Sequence, residues 1–97
     1  MKTNLREIFL YQRKAEIFKA LSNPARLEIL ETLLGGEKCV NEITAILKKY
    51  EQPHVSKSLA KLSNAGIVKD RKKGLNVYYS ISMQPIADFI IHLNNNL

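Results

Sequence analysis

The apolar positions of this chain fall into five stripes at helical spacing and one alternating run. Across residues 4–21, Leu5, Ile8, Phe9, Gln12, Ile17, Phe18 and Leu21 mark one broad side of a predicted helix, widened by Leu10 and Tyr11. So much apolar surface needs a cover, either the body of the fold or a second chain. Ser22-Asn23-Pro24 breaks this helix and starts another: Asn23 suits an N-cap, and Pro24 suits the first helical position, where its missing N–H has no partner to lose. Leu27, Ile29, Leu30, Leu33 and Leu34 form the expected inner side of the second helix, with Glu28 and Glu31 outward and Gly35-Gly36 at its end. Lys38-Cys39-Val40 reads as a short extended link. A third helix over about 41–48 turns Val40, Ile43 and Leu47 inward.

The polar turn Lys48-Lys49-Tyr50-Glu51 leads into a fourth helix over 53–65, opened by Pro53 and stopped by Gly66. Val55, Leu59 and Leu62 recur along one side, while His54, Ser58 and Lys61 occupy the other, flanked by Ser56, Lys57 and Asn64. Two short helices joined by a tight turn, the second with a small cationic outer face, form a helix-turn-helix, and such a face fits the DNA major groove. A solvated amphipathic helix shows the same periodicity. Ile67 to Lys73 and Leu75 to Ser82 read as two strands, the second alternating Val77, Tyr79 and Ile81 with Tyr78, Ser80 and Ser82. Residues 70–76, from Asp70 to Asn76, form the expected hairpin tip, a basic wing beside the helix-turn-helix. Ile86, Phe89, Ile90 and Leu93 stripe a last helix over 85–93. The expected fold is mainly α with a small β-hairpin, in the order α-α-α-α-β-β-α, as a single winged helix-turn-helix domain over residues 1–97.

Charge sharpens this picture. Fifteen Lys and Arg against nine Asp and Glu give a net charge of +6, which points to an acidic partner, nucleic acid ahead of an anionic membrane. No run approaches the roughly 18 apolar residues of a membrane span. No secretory leader is evident, and the single cysteine, Cys39, has no partner for an internal disulfide; a cytoplasmic, nucleoid-associated protein is expected. An enzyme is not expected. Cys39 and His54 are the only nucleophile–base candidates, with no orienting acid, and there is no Gly-rich phosphate loop.

Three motifs carry a family resemblance. Phe18 to Leu30 (FKALSNPARLEIL), Gln52 to Leu62 (QPHVSKSLAKL) with Ala65-Gly66-Ile67-Val68, and Arg71 to Ile81 (RKKGLNVYYSI) resemble the opening, the recognition helix and the wing of the ArsR/SmtB transcriptional repressors. The resemblance runs over residues 16–82. It implies a homodimer, paired through the first and last helices, bound to an imperfect palindrome in double-stranded operator DNA. Leu5, Ile8, Phe9, Ile86, Phe89, Ile90 and Leu93 are the expected dimer contacts.

On that reading Gln52 and His54 reach base edges at the start of the recognition helix, and Ser56 meets base or phosphate. Lys57 and Lys61, four apart, meet phosphates, and Ser58 shares their side. Arg71, Lys72 and Lys73 lie along the backbone or the minor groove. Arg26 either adds a phosphate contact or pairs with an acid. The competing reading of each is a solvated side chain without a contact. No metal and no cofactor are expected. The family's Cys-x-Cys site retains Cys39, but Asn41 stands where the second thiolate would be, and its last-helix site reads Met83-Gln84-Pro85 with Asn96 at the late position. Asp88 and His92 lie four apart, too few for a site. A redox role for Cys39 stays open beside that of a half-buried residue near a helix start. Two alternatives also remain open: a winged-helix scaffold without DNA binding, and a thiol-responsive repressor.

Overall fold

The computed structural model describes residues 4–97. The first helix, α1 (Leu5–Leu21), starts where the Asn4 side chain accepts the Glu7 N–H at 2.8 Å. Its C-terminal carbonyls are closed by Arg26 of α2 (Pro24–Leu33), whose Nε donates to Ala20 O at 2.6 Å and whose Nη2 donates to Lys19 O at 3.2 Å. A guanidinium at a helix C-terminus satisfies orphan carbonyls and meets the negative end of the macrodipole. The Asn23 side chain caps α2 by accepting the Arg26 N–H at 3.1 Å. The expected N-cap is therefore present, and Arg26 has a further role within the fold: it locks the corner between the first two helices.

Next come β1 (Lys38–Cys39), α3 (Val40–Leu47), α4 (Gln52–Asn64), β2 (Val68–Lys73), β3 (Asn76–Ile81) and α5 (Gln84–Asn95). The strands form one antiparallel sheet in the order β1-β3-β2. The extended link at Lys38-Cys39 thus has a partner, with Lys38 opposite Tyr79 and Cys39 opposite Tyr78. Two residues are too few to show an alternation, so sequence pattern alone did not identify a strand. The hairpin tip is tighter than expected. Pairing runs out to Lys73 opposite Asn76, leaving only Gly74 and Leu75 in the turn. Gly74 has φ 62° and Leu75 does not share a positive φ, the arrangement of a type II′ turn. Asp70, Arg71, Lys72 and Lys73 belong to β2, which stays polar because only Val68 of that strand is buried.

The core sits where α2, α3 and α4 meet. Ile29, Leu30, Ile43, Val55, Leu59, Leu62 and Ile67 are fully buried there. Each such side chain contributes about 1.5–3 kcal/mol by leaving water. Two assignments on α2 shift. Leu27 lies at the surface, since the inner stripe of α2 runs through Ala25, Ile29, Leu30 and Leu33. Glu28 is half-buried rather than outward. Ile90, expected at a dimer contact, is only 4% exposed and belongs to its own chain's core; Ile86 is half-buried against the same core. α1 buries little beyond Ala20 and Leu21, leaving Leu5 at 84%, Phe9 at 64% and Phe18 at 66% exposure, with Ile8 exposed as well. On α5, Phe89 and Leu93 face outward.

The exit of α4 is a Schellman motif: Gly66 N–H donates to Ser63 O at 2.9 Å and Ile67 N–H donates to Leu62 O at 3.0 Å. Gly66 takes φ +78°, and a Cβ there would lie 2.7 Å from Arg13 Nη2. An L-residue in this conformation costs roughly 1–2 kcal/mol. Gly66→Ala is expected to lower urea stability by about that amount at fixed protein concentration, with Gly66→Asn costing less. An alanine variant as stable as the parent contradicts this account.

Candidate nucleic-acid interface

α3 and α4 are joined by a turn in which Lys48 takes φ 60°, an unusual value for a residue with a Cβ. The turn is tied to α2. Lys49 Nζ lies 2.6 Å from Glu28 Oε1, and the Tyr50 hydroxyl donates to Glu28 Oε2. The Tyr50 ring leans on the core and stands 5.0 Å from the His54 ring, tilted by 40°. Glu28 thereby anchors the residues that set where α4 begins. The hydrogen bond from Lys49, with that from Tyr50, holds the Glu28 carboxyl below its usual range. Glu28 in turn raises the titration of Lys49 and of Tyr50, chiefly by side-chain hydrogen bonding.

α4 is split lengthwise. Val55, Ser58, Leu59 and Leu62 are buried, while Gln52, His54, Ser56, Lys57 and Lys61 are exposed on one continuous surface with Ala60 among them. Ser58 corrects the expected site: at 5% exposure it lies on the inner side, because it precedes Leu59 and sits three residues after Val55. Pro53 takes the second helical position, with Gln52 the first. The exposed surface is itself divided. His54, Lys57 and Lys61 line a cleft of about 420 Å³ together with Asn23 and Arg26 at the start of α2. Gln52 faces the other way, into a smaller cleft shared with Asn41, Cys39 and the wing residues Leu75 and Asn76. The Gln52 Nε2 donates to Asn41 Oδ1 at 2.8 Å.

The wing cations are not equivalent. Arg71 is paired with Glu37, its Nη2 2.5 Å from Glu37 Oε1 and its Nε 3.3 Å from Oε2, so its charge is answered within the fold. That hydrogen bonding holds the Glu37 carboxyl below its usual range. Lys72 and Lys73 are exposed on β2, and Lys69, which sequence reasoning passed over, is exposed on the same strand. Leu75 stands fully exposed at the tip. Cys39 is buried at the start of α3, where its N–H donates to Glu42 Oε1 at 3.0 Å and draws that carboxyl's titration down. Among the described residues no three His, Cys, Asp or Glu side chains gather as a metal site, and no helix is long and apolar enough to cross a membrane. Asn41, Glu37 and Glu28 were missed by sequence reasoning because each acts across elements far apart in the chain.

Comparison with known proteins agrees with this geometry. The family described as bacterial regulatory protein, arsR family, matches residues 23–70. An uncharacterised HTH-type transcriptional regulator of Methanocaldococcus jannaschii is 49% identical over 73% of this chain and 81% of its own length. The transcriptional repressor SdpR of Bacillus subtilis is 34% identical over 76% of this chain and 81% of its own. Among solved structures, a homodimeric winged helix-turn-helix DNA-binding domain from Mycobacterium bovis, a possible ArsR-family regulator, superposes with a TM-score of 0.86 at 29% identity, covering 95% of this chain and 84% of that one.

The Glu28 anchor predicts a pH dependence. A carboxyl depressed in the folded state contributes stability above its unfolded pKa and loses it as pH falls through the folded value. A lysine raised in the folded state loses its contribution as pH rises through the raised value. Stability is therefore expected to be flat near neutrality, declining below the carboxylate range and again in the alkaline range. In urea unfolding across pH, Glu28→Gln should flatten part of both limbs. Unchanged limbs would show that the anchor contributes nothing.

Proposed function

The chain belongs to the arsR family of bacterial regulatory proteins, DNA-binding transcriptional regulators rather than enzymes, and on that premise we propose that it is a homodimeric, sequence-specific repressor. The observation that carries the reading is the exposed surface of α4: Gln52, His54, Ser56, Lys57 and Lys61 project from a helix whose other side is wholly core. In this reading that helix enters the major groove. Gln52 and His54 meet base edges, Ser56 meets base or phosphate, and Lys57 and Lys61 meet phosphates from the α2 side. Lys72 and Lys73 follow the backbone or minor groove next to the site, with Arg71 joining as far as Glu37 releases it. The homodimeric Mycobacterium bovis relative supports pairing here, and the uncovered sides of α1 and α5 supply its surface through Leu5, Ile8, Phe9, Phe89 and Leu93. The whole chain, residues 1–97, acts as one winged helix-turn-helix domain, and repression is carried over from SdpR and the family. Two α4 helices about a two-fold axis would sit about 34 Å apart, one turn of B-DNA.

Three measurements test this. Duplexes selected from a random pool should yield an imperfect palindrome. If the dimer meets about 8 phosphates, log affinity should fall with log salt at a slope near −7. Lys57→Ala and Lys72→Ala should each weaken binding to all duplexes and reduce the slope by about 2, one contact per protomer. Gln52→Ala and His54→Ala should instead relax base preference, by roughly 1–3 kcal/mol at one position each. A chain that binds no selected duplex, or whose regulation survives all four changes, is a scaffold instead. In sedimentation, Phe9→Asp with Phe89→Asp should convert a dimer to a folded monomer that no longer holds the palindrome. A variant that remains dimeric places the interface elsewhere.

A further inference from the structure

We propose that Asn41 is a positioning residue for base readout, holding the Gln52 amide in place at the start of α4. The inference rests on the reading of α4 as the groove-entering helix. The bond from Gln52 Nε2 to Asn41 Oδ1, 2.8 Å long, joins residues 11 apart that open α4 and α3. A primary amide has two N–H donors and one acceptor oxygen. Giving one N–H to Asn41 leaves Gln52 with one N–H and its Oε1 free. Those two groups match the N7 acceptor and the N6 amino donor on the major-groove edge of adenine. Turning the Gln52 amide over would set Oε1 against Asn41 Oδ1, two acceptors, so the Asn41 amide must turn with it and donate its Nδ2–H instead. The contact thus couples the two amides and holds the Gln52 side chain at one place before any DNA arrives.

A glutamine already held in place also loses less rotamer freedom on binding than a free one. Asn41 adds no charge, so its effect falls on discrimination between bases and not on attraction to phosphate. The first helix of the helix-turn-helix, which in this arrangement touches no base, thereby shares in sequence choice.

The test uses the full chain and the duplex selected by the parent protein. Affinities are measured for Gln52→Ala, Asn41→Ala, Asn41→Asp and the double alanine variant on that duplex. They are measured again on duplexes carrying the three other base pairs at the position where Gln52→Ala flattens preference. Gln52→Ala should lose about tenfold or more in discrimination there. Asn41→Ala should lose about fivefold, the scale of one ordinary hydrogen bond, with the salt slope unchanged. Asn41→Asp keeps the acceptor and should restore discrimination, while its charge weakens binding to all four duplexes alike. In the double variant, Asn41→Ala should add nothing. Full discrimination in Asn41→Ala, or a loss that persists without Gln52, overturns the proposal. If Gln52→Ala leaves every base preference intact, the base contact of Gln52 itself fails, a result separable from a Gln52 that reads without help.

Discussion

Everything exposed on α4 depends on what that helix buries. Val55, Leu59 and Leu62 are removed from water against Ile29, Leu30 and Ile43, and this one-sided burial fixes the rotation of the helix about its own axis. A rotation by one residue would bring Lys61 toward the core and expose Leu62, at the cost of a buried apolar side chain and a desolvated charge. The arc from Gln52 through Ser56 and Lys57 to Lys61 is held by a packing constraint that touches none of those residues. Ser58 shows how closely the two sides abut, a hydroxyl drawn into the core's edge because its neighbours in the stripe are apolar.

The turn that leads into α4 is tied down separately, by Glu28. One carboxylate takes Lys49 and Tyr50 from the turn before α4, and Tyr50 carries a ring toward His54. Arg26 does the analogous work at the α1–α2 corner. In both cases a charge that composition alone would assign to an acidic partner is spent within the chain. Arg71 with Glu37 is a third instance, at the wing. The net charge of +6 therefore overstates what any partner meets as loose cations and understates how far the remaining ones are localised. Lys57 and Lys61 border the α2 cleft, and Lys69, Lys72 and Lys73 run along β2. Exposed pairs such as Arg71 with Glu37 are weak enough for a phosphate to displace the carboxylate.

The elements were legible in the sequence wherever one periodicity dominated. Asn23 before Pro24, Val55, Leu59 and Leu62 at helical spacing, and Gly66 at the exit of α4 all mark local requirements that the fold meets where they fall. Errors arose where two surfaces compete for one residue. Leu27 has an apolar side chain at a position the core does not reach, and Ile90 sits on a stripe shared between the chain's own core and the outward side of α5. The wing looked longer than it is because Asp70 to Lys73 reads as a polar loop, although a two-stranded ribbon with little burial accepts such residues in register. The contacts of the site, Asn41 to Gln52 and Arg71 to Glu37, span 11 and 34 residues and leave no local trace.

Position 41 draws these points together. By sequence resemblance it is where the second thiolate of the family's Cys-x-Cys site would stand, two residues after Cys39 at the start of α3. A side chain there sits beside the first turn of α4 and below the wing tip, as the cleft joining Cys39, Asn41, Gln52 and Leu75 makes plain. A ligand at that point would bear on the N-terminus of α4. With asparagine in place, the same location supplies a hydrogen bond in the folded protein as it stands, without an added ion. What differs is the group that occupies one corner of the fold, and the leverage that corner has over Gln52 follows from the packing of α3 against α4 rather than from the chemistry placed there.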